Sequence, residues 1–202
     1  MKILISTLLL LTTSLLYAHN FNYKFDDIKR QAKNVWEEQD VSNAESDASS
    51  LVDEIEKHLR DEDDLTVDEK AELKKLIKDV EDVEKFIIYV ISGRSYSINI
   101  DGFNNAVSIL GASTTIINSN YKVKFVKVEL NGLVVLMAYN TNKTVGYEMV
   151  IKSSSLGGSS TTTNTCIVEK YSYRQLSDNR DNRSLKTWKI ISAQLKEWSF
   201  GF

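Results

Sequence analysis

Residues 121–140 read Tyr-Lys-Val-Lys-Phe-Val-Lys-Val-Glu-Leu-Asn-Gly-Leu-Val-Val-Leu-Met-Ala-Tyr-Asn, and this run decides the fold. Side chains of a strand change face at every residue, so an apolar period of two marks a half-buried strand. Tyr121, Val123 and Phe125 keep one phase, whereas Val126, Val128 and Leu130 keep the other. The alternation therefore slips by one residue at Phe125-Val126. Holding a single apolar face across such a slip requires a β-bulge, and a bulge bends the sheet. The expectation is one long bent strand over residues 115–130. Asn131-Gly132 suits a tight turn with positive φ at both positions, so a hairpin follows. Residues 133–139 are continuously apolar, as in a strand covered on both faces.

Working outward, residues 96–100 read as a short strand, Asp101-Gly102 as a turn, and residues 103–110 as a short helix stopped by Gly111. A third long strand surrounds Tyr147 and Ile151 and runs into a serine- and glycine-rich stretch, 153–161, with the composition of a flexible loop. The next strand is expected at 165–173, then a charged loop at 174–186. A last strand carries Trp188, Ile190, Ile191 and Ala193, with Leu195, Trp198, Phe200 and Phe202 beyond it.

The front half has a different grammar. No glycine occurs between Phe25 and Ser92, and charges and helix formers dominate. Phe25, Ile28, Ala32, Val35 and Trp36 recur at helical spacing; so do Ala44, Ala48, Leu51, Val52, Ile55 and Leu59. Asp61 to Asp64 form an acidic connector. Thr66 and Glu69 are spaced as a capping box that opens a third helix, with Leu73, Leu76, Ile77, Val80, Val83 and Ile87 along one face. That helix becomes apolar all round from Phe86 to Ile91, which calls for deep burial. The fold class is thus α+β: a curved, mostly antiparallel sheet wrapped on helices, cone-like, with an extra N-terminal helical segment at 19–65 ahead of a domain at 66–202.

The chain of 202 residues has 25 basic and 28 acidic side chains and a net charge of −3. Nothing in that balance attracts nucleic acid or an anionic membrane. Lys2, the apolar run that follows it and the small residue Ala18 have the order of a secretory signal, with cleavage expected after Ala18. The apolar run is shorter than the roughly 20 residues of a membrane-spanning helix. The expected destination is secreted or periplasmic, with no stable membrane span after cleavage. Cys166 is the only cysteine, so no intrachain disulfide can form, and its expected role is that of a small buried apolar residue.

The order of short strand, Asp-Gly turn, short helix, bent strand, Asn-Gly hairpin and a closing strand beginning Trp188-Lys-Ile-Ile-Ser-Ala-Gln194 resembles the nuclear transport factor 2-like superfamily. The resemblance extends over about residues 66–202 and is strongest over 95–198. It implies a sheet curled against helices around a conical apolar pocket. Its enzymes are isomerases, dehydratases, cyclases and dioxygenase subunits, many with an acid or histidine inside the cone. Two features depart from the pattern: the helical stretch 24–60 is longer than the fold requires, and no break interrupts the segment leading to Ile91.

The search for chemistry yields little. His19 and His58 both precede residue 66, and His58 reads as a surface helix residue. With one cysteine and two distant histidines no spaced metal set exists. Gly157-Gly158 lacks the lysine and helix start of a phosphate loop. Arg174, Arg180, Arg183, Lys186 and Lys189 are interleaved with Asp178 and Asp181, as in a solvated loop. There remains Asp101, the weak catalytic candidate, with pocket candidates Tyr96, Tyr139, Tyr147 and Tyr171, and with Tyr173 beside them. A carboxyl of raised pKa beside tyrosine donors can move a proton next to a carbonyl, although Asp before Gly is also a common turn residue. No metal and no cofactor is expected. The leading reading is an exported, non-catalytic binding module for a small apolar molecule or a protein partner, including a homodimer. The alternatives are a small lyase or isomerase using a buried carboxylate, and an envelope assembly protein.

Overall fold

The structure, a computed structural model, describes residues 20–94, 97–119, 121–155, 160–176 and 189–198. The expected export signal, Tyr96, Trp188 and most of the charged loop lie outside the described residues. The chain is α+β, helices first, with antiparallel sheets that do not close into a barrel. It divides into two compact units, Met1–Glu84 and Lys85–Phe202.

The first unit holds helices α1 (20–33), α2 (Glu38–Asp61) and α3, which runs over Val67–Phe86 into the second unit. The pairing of Lys24 with Glu54 and the contact of Gln31 with Asp47 run α1 and α2 antiparallel. Their buried stripe is Phe25, Ile28 and Ala32 facing Ala44, Ala48, Leu51 and Ile55. The small side chains at 32, 44 and 48 are what allow two helices to approach closely. Trp36 departs from the expected stripe and is 51% exposed. The helix stops at residue 33, and the turn that follows is closed by Asn34 N–H to the Gln31 carbonyl and Glu37 N–H to the Asn34 carbonyl. Beyond that turn the 3.6-residue period no longer carries Trp36 inward, and Val35 takes the buried position. The capping box forms as the spacing predicts: Thr66 N–H donates to Glu69 Oε2 at 2.8 Å, and Glu69 N–H donates to Thr66 Oγ1 at 3.2 Å.

The second unit opens on a π-helical turn, Ile87–Ile91, closed by Ser92 N–H to the Ile87 carbonyl at 2.8 Å. Phe86, Ile87, Val90 and Ile91 are buried as expected, while Ile88 and Tyr89 are half-buried. Strand β1 (Ser97–Asn99) leads directly into α4 (Ile100–Leu110). Asp101-Gly102 is therefore not a turn but the first turn of a helix. Asn99 caps it, its Oδ1 accepting Asp101 N–H at 2.9 Å. Gly111, at φ 67°, closes the helix in the left-handed conformation that only glycine adopts cheaply.

A five-stranded sheet follows in the order β1-β7-β4-β3-β2, and a three-stranded sheet in the order β6-β5-β8. The strands are β2 (Ser113–Asn118), β3 (Lys124–Leu130), β4 (Leu133–Asn140), β5 (Gly146–Ser155), β6 (Ser160–Val168), β7 (Ser172–Gln175) and β8 (Lys189–Trp198). The expected single strand at 115–130 is a hairpin of β2 and β3. The expected bulge in β3 is absent too, because β3 pairs with β4 without interruption from Lys124↔Tyr139 to Leu130↔Leu133. The irregularity lies instead on β2, where Ile117 is the extra residue opposite Phe125-Val126.

The apolar pattern of β3 slips for a different reason. Val123 and Phe125 lie on one face, in a core with Ala138, Tyr147, Met149, Ile151 and Val168 that joins the two sheets. Val126, Val128 and Leu130 lie on the opposite face and are buried there. On that second face Tyr139 stacks on Tyr173 with ring centroids 4.4 Å apart, and Tyr173 stacks on Phe103 of α4 at 3.8 Å. The strand changes its apolar phase because what covers it changes sides.

The Asn131-Gly132 hairpin forms with φ 45° and 87°, and every residue of β4 but Tyr139 is buried, as expected of a central strand. Two other expectations fail. Residues 153–155 and 160–161 belong to the β5–β6 hairpin, whose pairing runs to Ser155↔Ser160 with Ser153 buried, while 156–159 lie outside the described residues. The expected strand 165–173 is split between β6 and β7, which belong to different sheets, by a turn in which Tyr171 has φ 48°.

Candidate functional site

Asp101 and Tyr171 are brought together. Tyr171 Oη donates to Asp101 Oδ1 at 2.9 Å, at an exposed position between α4 and the β6–β7 turn. Acceptance of its proton by Asp101 holds the Tyr171 phenol above its ordinary pKa. Asp101 N–H is taken by Asn99, and the Tyr171 carbonyl accepts Ile100 N–H at 3.3 Å. Lys143 Nζ lies 5.0 Å from the Tyr171 ring centroid. Chemically this is a surface latch: the carboxylate is solvated, and its neighbour is a proton donor that stays protonated. Tyr139 is a second matter, half-buried in the ring stack against Tyr173, whose phenol is raised by burial and then by Tyr139. Tyr147 points into the core between the sheets and is 3% exposed. Asp101, Tyr139, Tyr147 and Tyr171 line none of the three described clefts.

The latch belongs to a framework that the sequence reading did not anticipate. Asn140 is fully buried at the end of β4. Its Nδ2 donates to the Val145 carbonyl at 2.9 Å and to the Glu169 carbonyl at 2.8 Å, while its Oδ1 accepts Asn142 N–H at 2.9 Å. Asn142 Oδ1 in turn accepts Thr144 N–H at 2.9 Å and Val145 N–H at 3.1 Å. The Asn142 carbonyl accepts Tyr171 N–H at 2.7 Å, and Ser172 Oγ donates to the Glu169 carbonyl at 2.9 Å. One buried amide thus fixes both the β4–β5 loop and the β6–β7 turn. Three asparagine and threonine residues at two-residue spacing after a buried strand were the available signal, because such side chains bond to nearby backbone in turns.

A cleft of about 420 Å³ opens at the seam of the sheets. Ser97 and Arg174 come from β1 and β7 of one sheet, while Glu148, Thr165, Cys166, Ile167 and Trp198 come from β5, β6 and β8 of the other, with Glu169 at the turn. Gly146 permits close packing at the end of the three-stranded sheet: a Cβ there would lie 3.0 Å from the Val168 carbonyl oxygen and 3.2 Å from Trp198 Cε3. Cys166 is half-buried; burial pushes its thiol up, and the Arg174 guanidinium pulls the other way. The cleft therefore offers an apolar wall of Ile167 and Trp198, a guanidinium and two carboxylates, while Cys166 lies on the core face of its strand with Met149. Arg174 stands in β7 instead of the expected charged loop, and Cys166 meets the core on one side and the cleft on the other.

Two smaller clefts lie within the helical unit. One, of about 300 Å³, is lined by His58 with Glu69, Glu72, Lys75 and Asp79, and His58 is placed there by the edge of the Phe21 ring at 5.6 Å. The other, of about 340 Å³, is lined by Asp27, Asp47 and Glu54, and the Arg30 guanidinium holds the Asp27 carboxyl below its usual range. Among the described residues no three histidine, cysteine or carboxylate side chains converge as a metal requires, and no helix is long and apolar enough to cross a membrane. Compared with family models, curated proteins and solved structures, the chain matches none.

Proposed function

We propose that this chain is an exported, non-catalytic binding module of the nuclear transport factor 2-like type, and that it takes a small molecule in the seam cleft. The observation that carries the reading is the composition of that cleft, where an apolar wall ending in Trp198 stands beside Arg174, Glu148 and Glu169 within about 420 Å³. Ligand sites are concave, of roughly 300–1,000 Å³, and combine apolar lining with a few polar groups that fix orientation. Arg174 suits a carboxylate, the two glutamates suit an ammonium group, and Trp198 suits a flat apolar body. The ligand class is therefore a compact zwitterion with an apolar side chain. The exposed Asp101–Tyr171 latch lacks the water-excluded setting that acid–base chemistry draws on, which is why binding is preferred to a lyase or isomerase.

Calorimetric titration of residues 19–202 tests this with three probes: phenylalanine, 3-phenylpropionate and phenethylamine. Phenylalanine binds best, and Arg174→Met and Trp198→Ala each weaken it at least tenfold. Absence of binding by all three probes, or equal affinity in both variants, refutes the proposal.

A further inference from the structure

We infer that Glu169 is the group that recognises the ligand's ammonium, and that the turn at Tyr171 positions it; this deepens the seam-cleft reading and rests on it. Among the described residues two carboxylates line the cleft, and their settings differ. Glu148 lies within β5, directly opposite Lys196 of β8. Opposite charges so placed attract each other, which weakens the pull of Glu148 on a ligand cation. Glu169 lies outside the strands, at the β6–β7 turn, and makes no ion pair among the described residues.

A carboxylate on a turn discriminates between ligands only if the turn is held still. The Glu169 carbonyl accepts Asn140 Nδ2 at 2.8 Å and Ser172 Oγ at 2.9 Å. Two residues on, Tyr171 is fixed three times over. Its N–H donates to the Asn142 carbonyl at 2.7 Å, its carbonyl accepts Ile100 N–H at 3.3 Å, and its hydroxyl donates to Asp101 Oδ1 at 2.9 Å. The backbone there is also strained. Tyr171 has φ 48°, in the left-handed region that glycine or asparagine adopts more cheaply than a bulky residue. The other described non-glycine residue in that region is Asn131, in a hairpin turn that favours asparagine. Glycine or asparagine could make the turn at 171, but neither would reach Asp101 on α4. Strain of this kind persists where surrounding contacts over-determine it, as at ligand clamps. Because α4 follows β1 directly, the Tyr171–Asp101 bond ties together the two segments that carry Ser97 and Glu169 to the cleft.

The test is the ratio of calorimetric affinities for phenylalanine and 3-phenylpropionate, which differ by the ammonium group alone. Glu169→Gln lowers that ratio by roughly tenfold or more, because a site built around a polar group rejects the analogue lacking it. It binds 3-phenylpropionate at least as tightly as the natural chain, a like charge having been removed. Glu148→Gln lowers the ratio less. Tyr171→Phe, and separately Asp101→Ala from the other side of the same bond, each lower it by roughly threefold or more. Adding Tyr171→Phe to Glu169→Gln lowers it no further, which a general loss of stability would not produce. Equal losses in Glu148→Gln and Glu169→Gln overturn the inference. So do an unchanged ratio in both Tyr171→Phe and Asp101→Ala, and a further loss in the double variant. If the natural chain binds neither probe, the seam-cleft reading fails, and the inference fails with it.

Discussion

Replacing Asn140 by leucine removes one buried amide of similar size and leaves two backbone groups without their partner, the Val145 carbonyl and the Asn142 N–H, while the Glu169 carbonyl keeps Ser172 Oγ. An orphaned buried polar group costs about 1–3 kcal/mol. Val145 is half-buried, so water can reach its vacated carbonyl, and the lower end of that range applies to each group. The sum is a loss of about 2 kcal/mol. With a urea slope of roughly 2 kcal/mol/M, the unfolding midpoint falls by about 1 M. Urea titration followed by circular dichroism measures the shift. Hydrogen exchange supplies the local readout, with faster exchange at Asn142, Val145 and Tyr171 than at the β3–β4 hairpin. A midpoint within about 0.2 M of the natural chain, with unchanged exchange at those amides, would show that Asn140 is not the hub described above.

Other consequences follow from the same contacts. Gly146→Ala drives a Cβ against the Val168 carbonyl and Trp198, and should cost about 1–3 kcal/mol in the same urea assay. Thr66→Ala removes the capping box of α3 and should cost about 1 kcal/mol, with Thr66→Ser recovering most of it. Tyr171 and Tyr173 have folded pKa values raised above the unfolded value of about 10. Their contribution is fully present below that value and is lost as pH rises through the folded pKa. Melting temperature should therefore fall on the alkaline side, and Tyr171→Phe should make that fall shallower. Cys166, its thiol raised by burial, should react with iodoacetamide at pH 7.5 more slowly in the native protein than in urea, and a faster native reaction would contradict the burial.

What could be read from residues alone divides along physical lines. Periodicity reported the helices and the apolar strands because it records burial, and local capping chemistry reported Thr66, Gly111 and the Asn131-Gly132 hairpin. The break between β2 and β3 was hidden because residues 119–123 contain no glycine or proline to mark the turn. The phase slip at Phe125-Val126 was visible, but its cause was tertiary: a sheet covers the Phe125 face and α4 lies on the other. The Asp101–Tyr171 pairing lay within the candidate set, whereas its exposed setting depended on α4 starting at Ile100. The seam cleft was not legible, since Glu148, Cys166 and Trp198 are scattered in sequence and meet only when β5, β6 and β8 pair, and Arg174 joins them from the other sheet.

The most direct measurement is a two-dimensional ¹H–¹⁵N titration of residues 19–202 with phenylalanine. Binding in the seam cleft gives saturable shifts at Glu148, Thr165, Cys166, Ile167, Arg174 and the Trp198 indole. Shifts confined to the helical unit, or centred on Tyr139 and Tyr171 with the seam unmoved, would contradict it.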